Sequence, residues 1–221
     1  MDFVVSSYTP TVTAILASGR PTEVLPFKLL AVTQCFTPGA EPLPGTEKEL
    51  TNIQRHASKF PIVTLRNDEA TVDRVMAGIS ECKWVHLACH GTQDAADPTR
   101  SGLLLQNGRL ELSELIRKAV PHAEFAFLSA CQTATGHNRL SEEAVHLAAG
   151  MLSVGYKGVI ATMWSIKDND APCVSDVVYA HLFRENPPDH TRAAYALHQA
   201  VQQLRKHVPF LSWVPFIHIG V

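Results

Sequence analysis

The sequence predicts an α/β fold: a mostly parallel sheet of about six strands with helices on both faces. Three observations carry this reading. Short apolar runs alternate with segments of helical period along most of the chain. The runs are continuously apolar rather than alternating, the pattern of strands covered on both sides. Two of them, Trp84-Val85-His86-Leu87-Ala88-Cys89-His90-Gly91 and Glu124-Phe125-Ala126-Phe127-Leu128-Ser129-Ala130-Cys131, close on reactive side chains. In an open parallel sheet the loops at the carboxyl ends of the strands build the binding crevice, so the pattern also marks a candidate site.

The elements follow in order. Leu29 to Gln34 is a buried strand. Thr46 and Glu49 have capping-box spacing ahead of Leu50, Ile53 and Ala57, which predicts a helix. Pro61 to Leu65 is a second strand, and Val72, Val75, Met76 and Ile79 form a helical stripe behind the candidate cap Asp68. Trp84 to Cys89 is the first signature strand. Leu103 to Gln106 and Arg109 to Leu112, joined by Asn107-Gly108, predict a hairpin. Leu112 to Ala119 is a short helix that stops before Pro121, and Phe125 to Ser129 is the second signature strand. Ser141, Glu142 and Glu143 start a helix carrying Ala144, Val145, Ala148, Ala149 and Leu152. Gly158 to Met163 is a strand, helices follow near 171–185 and 190–206, and Phe216 to Gly220 is a last edge strand. Residues 1–25 fit the alternation least well and are read as a hairpin or linker remnant packed on a core domain spanning 26–221.

Bulk properties narrow the function. A chain of 221 residues, 46% of them hydrophobic, suits one large domain with a sizeable core. A net charge of −2 gives no electrostatic footprint for nucleic acid or an acidic membrane. No apolar run approaches the roughly 18 residues of a membrane span, and Met1 to Pro10 lacks a signal-peptide pattern. Five cysteines are an odd, sparse set, which reads as free thiols in a reducing, cytoplasmic setting.

The chemistry-bearing pair is His90 and Cys131. A free thiol has a pKa near 8.5 and needs a partner to act as a thiolate at neutral pH. An imidazole is the proton carrier for that range. Gly91 allows close approach of a substrate, and the backbone N–H groups of Gly91 and Cys131 are candidate oxyanion donors.

With these residues in view, the chain resembles the CHAT family of caspase-like cysteine peptidases, which is related also to separases. Ser7-Tyr8-Thr9-Pro10-Thr11 resembles the family's opening motif, and His86-Leu87-Ala88-Cys89-His90-Gly91 its histidine motif. Leu128-Ser129-Ala130-Cys131-Gln132-Thr133 resembles its cysteine motif, Gly158 to Asp168 its strand-plus-tryptophan block, and Trp213 to Gly220 its closing segment. The resemblance implies a caspase-like three-layer sandwich over 26–221, with His90 as base and Cys131 as nucleophile in a dyad without a third member. It implies a cysteine endopeptidase acting on a protein or peptide substrate. Ser129, Gln132 and Thr133 depart from the caspase pattern, so caspase preference does not carry over. Acidic residues in the matching block of separases hold a basic substrate side chain, which makes Asp168 and Asp170 candidates for the same role; helix capping by Asn169 or Asp170 is the competing reading. Members of the family often follow helical repeats, so a regulatory helical-repeat region or partner is expected. The alternative is a catalytically silent signalling or interaction module on the same fold.

The remaining candidates have plainer readings. His86 precedes His90 by an even step on one strand and so shares its face, where it reads as a hydrogen-bonded support. Cys89 points to the opposite face as packing, and Cys35 lacks a histidine context. Cys82, His86, Cys89 and His90 offer only one ligand hook, so neither a metal nor another cofactor is expected. The glycines between 150 and 158 lack a phosphate-loop ending and read as helix–strand packing.

Overall fold

The computed structural model describes residues 4–9, 25–92, 94, 96–132 and 144–220. The chain order is β1 (Leu29–Thr33), α1 (Gly45–His56), β2 (Ile62–Arg66), α2 (Val72–Glu81), β3 (Trp84–Thr92), β4 (Gly102–Leu105), β5 (Gly108–Glu111), α3 (Leu112–Ile116) and β6 (Phe125–Gln132). It continues with α4 (Ala144–Val154), β7 (Gly158–Thr162), α5 (Ala171–Leu182), α6 (Ala193–Leu204), α7 (Phe210–Trp213) and β8 (Phe216–Gly220). The strands form one sheet with main path β2-β1-β3-β6-β7-β8, and the β4–β5 hairpin hangs on the end of β3. Pairings from β2 through β7 are parallel, and β8 closes the path antiparallel to β7. The fold is thus the mixed α/β sandwich the sequence predicts, with six strands on the main path and the hairpin added.

Strand alternation sorts the side chains into two cores. Leu30, Val32, Val85, Leu87, Cys89, Ala126 and Leu128 face one layer with Val75, Ile79, Leu115 and Met151. Leu29, Ala31, Trp84, Phe125, Phe127 and Ile160 face the other layer with Ile53, Val178, Tyr179 and Leu197. Burying each of these Val, Leu, Ile, Phe and Met side chains is worth about 1.5–3 kcal/mol, which is why the strands need no polar face. The glycines before β7 serve packing: a Cβ on Gly150 would meet the Leu112 side chain, and Gly155 sits at φ +130 with the Val120 carbonyl close by.

Some boundaries differ from the sequence reading. Thr71, not Asp68, caps α2, its side chain accepting from the Arg74 N–H; Asp68 lies in the short turn Asn67–Glu69. β3 and β6 each run past the apolar stretch, so His90 and Cys131 stand inside strands rather than just after them. The capping box for the first helix does not form: α1 begins at Gly45 with no cap from the side chain of its own N-cap residue Pro44, and Glu49 turns inward. Most of the expected N-terminal hairpin lies outside the described residues. Tyr8 bridges parallel to Ile219, donating its N–H to the His218 carbonyl at 2.9 Å and accepting from the Gly220 N–H at 2.8 Å.

His218 on β8 is buried, its Nδ1 2.7 Å from Ser7 Oγ, and burial together with nearby His190 pushes its pKa down to about 4. Its neutral form is the folded form, so the contribution is complete above the ordinary histidine pKa of 6.5 and is lost as pH falls from there towards about 4. The loss reaches about 3 kcal/mol at 1.36 kcal/mol per unit. Urea unfolding at pH 7.5, 5.5 and 4.5 is expected to show a steeper acid-side fall for the natural chain than for His218→Gln.

Candidate active site

β3 and β6 lie side by side in parallel, with Ala88 opposite Ser129, His90 opposite Cys131 and Gly91 opposite Gln132. The structure therefore brings the backbones of the two candidate catalytic residues into direct register, about 4.8 Å apart across neighbouring strands. The Cys131 side chain, and residues 133–143 after β6, lie outside the described portion. On its other edge β3 pairs with β4, placing His90 opposite Leu104 and Gly91 opposite Leu103. Both residues are clamped by strands on two sides.

The His90 ring is 4% exposed, with Nε2 2.7 Å from the Glu41 carbonyl oxygen. A carbonyl only accepts, so Nε2 carries the proton and donates. In the neutral ring Nδ1 is then a lone pair. That atom is buried and has no hydrogen-bond partner among the described residues. The Glu41 loop is held by the Leu43 N–H on the Cys35 carbonyl at 2.9 Å and by Thr46 Oγ1 donating to the Leu43 carbonyl at 2.8 Å.

Beneath this pair a polar cluster crosses the aromatic core. Glu49 of α1 is 1% exposed; its Oε1 accepts from Ser129 Oγ at 2.9 Å, and its Oε2 lies 3.3 Å from His86 Nε2 without hydrogen-bond alignment. His86 Nδ1 is 3.0 Å from the Tyr179 hydroxyl. Burial, reinforced by the Glu49 carboxylate, holds the Tyr179 pKa well above the ordinary phenol value. The phenol keeps its proton and donates to His86 Nδ1, which leaves His86 Nε2–H facing Glu49.

Asp168 and Asp170 follow β7 at the same end of the sheet. Asp168 Oδ2 accepts the Gly45 N–H at 2.6 Å, capping α1 from another part of the chain. A Cβ on Gly45 would stand 2.3 Å from the Asp168 carbonyl, so glycine is what permits this approach. Asp170 occupies the N-cap position of α5 but makes no side-chain capping bond; it is 7% exposed, its Oδ2 has no hydrogen-bond partner among the described residues, and burial raises its pKa. Burial, joined by nearby Glu47 and Asp168, pushes the Cys35 thiol up, and burial pushes Cys82 up to about 11. Both are the opposite of nucleophile activation. Cys89 lies in the core on the far face. A cavity of about 110 Å³, lined by Tyr8, Met163, Leu197, Val201, Trp213 and Phe216, lies at the α6–β8 side and includes none of these residues.

Sequence reasoning missed the inward role of Glu49 and the partners Glu41 and Tyr179. A signal for Glu49 existed: it sits on the stripe of Thr46, Leu50 and Ile53, where a carboxylate is out of place unless paired. Nothing could have signalled the Glu41 carbonyl, because every residue has one.

The fold is that of caspase-like cysteine peptidases. It resembles the crystal structure of the Arg-specific cysteine proteinase gingipain R (RgpB) with a TM-score of 0.59 at 10% identity, covering 87% of this chain and 46% of that one. It resembles the complex of Porphyromonas gingivalis RgpB pro- and mature domains with a TM-score of 0.58 at 9% identity, covering 87% and 47%. The chain thus spans about half the length of those structures, and the likeness is one of fold. The CHAT domain model matches residues 3–221, and the chain belongs to the CHAT domain family. No curated protein sequence matches it.

If Asp168 acts as a remote cap, Asp168→Ala lowers stability by about 0.5–2 kcal/mol, the usual worth of an N-cap. Thermal unfolding of the variant checks this, and an unchanged midpoint would count against the capping role.

Proposed function

We propose that this chain is a cysteine endopeptidase working through a His90–Cys131 dyad. The observation that carries the reading is the His90 ring: Nε2–H is committed to the Glu41 carbonyl, and the buried Nδ1, without a partner among the described residues, belongs to the residue opposite Cys131. In this reading Nδ1 takes the Cys131 thiol proton and the thiolate attacks the scissile carbonyl, forming a C–S bond. The backbone N–H groups of Gly91 and Cys131 hold the oxyanion. Collapse breaks the C–N bond, and the amine leaves with the proton from His90. Water, deprotonated by His90, then hydrolyses the thioester and restores the thiol. A protein or peptide substrate would lie extended along a sheet edge.

Cleavage after a basic residue is part of the proposal. Asp168 is engaged by Gly45, whereas the buried Asp170 has an oxygen without a hydrogen-bond partner among the described residues, which an arginine or lysine would satisfy. The structural neighbour gingipain R, an Arg-specific cysteine proteinase, is in keeping with this reading.

A fluorogenic peptide library read by mass spectrometry tests both parts. Cys131→Ala and His90→Ala are each expected to lose at least about a thousandfold in kcat/KM, since members of a catalytic unit fail together. Equal cleavage by Cys131→Ala would remove the assignment. Asp170→Asn is expected to lose cleavage after arginine and lysine while other cleavages persist; an unchanged profile would remove the basic preference.

A further inference from the structure

We propose that Glu49 is a positioning residue for the dyad, its buried carboxylate tying β3 and β6 to α1 directly beneath His90 and Cys131. The inference rests on the peptidase reading above and extends it to residues that never touch substrate.

A carboxylate in an apolar layer is costly unless its oxygens are satisfied, and an apolar residue on the α1 stripe would fill the same space without that cost. Each oxygen of Glu49 reaches one of the two site-bearing strands, Oε1 through a hydrogen bond and Oε2 as a close approach of ion-pair distance only. Oε1 takes the hydroxyl of Ser129, two residues before Cys131 on β6; Oε2 faces His86, four residues before His90 on β3. The pair Ala88–Ser129 lies one side-chain repeat below the pair His90–Cys131, a step of about 6.6 Å along the strands. Tyr179 locks the far side of His86, so the ring cannot turn its Nε2–H away from Glu49.

The second half of the argument is the loop. α1 starts just after the segment carrying Glu41, whose carbonyl holds His90 Nε2–H. One helix therefore fixes the strands through Glu49 and the ring orientation through Glu41. Loosening Glu49 lets α1 shift, releases the carbonyl from His90, and removes the preference for a lone pair at Nδ1. A purely structural Glu49 would affect unfolding but leave the thiol chemistry of the folded chain untouched.

The test needs no substrate. Iodoacetamide forms a C–S bond with a thiolate and releases iodide, so its rate follows the thiolate fraction. The 221-residue chain is alkylated between pH 5 and 9, and the Cys131 peptide is quantified by mass spectrometry with exposed Cys173 as internal reference. The titratable groups against Glu49 are His86 and Tyr179, and the latter stays protonated across this range. Glu49→Gln keeps an acceptor for Ser129 but turns an amide towards His86. It is expected to slow Cys131 alkylation at pH 7 by at least about tenfold and to raise its midpoint by about one unit, with Cys173 unchanged. Ser129→Ala is expected to shift the profile the same way, and the double variant to add little. If Glu49→Gln does not fold, Ser129→Ala decides. His90→Ala separates the two failures. Slow alkylation in His90→Ala with natural profiles in Glu49→Gln and Ser129→Ala overturns the positioning role and leaves the dyad standing. A natural profile in His90→Ala overturns the dyad, and the inference with it.

Discussion

The parallel pairing of β3 with β6 is the constraint on which the site depends. These are the central strands of the main path, each bounded by a neighbour on both sides. A slip of one residue would set His90 opposite Ala130 and would exchange the faces of every side chain on the slipped strand. On β3 that exchange would drive His86 and His90 into the layer now filled by Val85, Leu87 and Cys89, and would bring those apolar groups against Glu49 and Tyr179. The register is thus enforced twice, by apolar burial on one face and by the Ser129–Glu49 and Tyr179–His86 hydrogen bonds on the other. The β4 strand adds a third restraint at the point where β3 leaves β1 behind.

α1 carries more of the site's geometry than its place as a crossover helix suggests. Its N-terminus is held by Asp168 from beyond β7, its buried face meets β3 and β6 through Glu49, and the loop before it supplies the carbonyl that orients His90. The Gly45–Asp168 approach leaves no room for a Cβ, so the loop after β7 and the start of α1 are fixed to one another. The carboxyl ends of β1, β3, β6 and β7 are in this way joined through one helix. That arrangement suits a strand-end site, whose loops otherwise have little to hold them.

Much of the fold was legible because burial writes itself into composition. Runs such as Leu29 to Thr33 and Gly158 to Thr162 are fully buried and read as strands directly. Periodicity located the long helices for the same reason. The misreading at the start of α1 has one cause, which is that local hydrogen-bond grammar gave way to tertiary partners. Thr46 and Glu49 have capping spacing, yet Thr46 bonds the Leu43 carbonyl and Glu49 is drawn inward by Ser129. Asp170 stands at an N-cap without a side-chain capping bond, while the capping bond to α1 comes from Asp168, far away in sequence. His90 and Gly91 were visible because their side-chain types and spacing carry chemistry. Tyr179 was hidden among the apolar residues of α5, where an aromatic ring is the ordinary core residue.

The orienting partner of His90 has a further consequence. Where a carboxylate holds the catalytic imidazole, its charge also stabilises the imidazolium. A backbone carbonyl fixes the tautomer equally well but brings only a dipole. The ring here is therefore held in one tautomer by a neutral group. Of the described groups near the strand ends, Glu49 and Asp168 are acids already engaged, Asp170 is a buried carboxyl, and Lys167 is a cation that acts on Asp170. A basic substrate side chain docking near Asp170 would change that balance, bringing a cation to the same end of the sheet as the thiol. On the peptidase reading proposed above, a basic substrate would help to activate the thiol, so binding and chemistry would be coupled through charge rather than through a third catalytic acid.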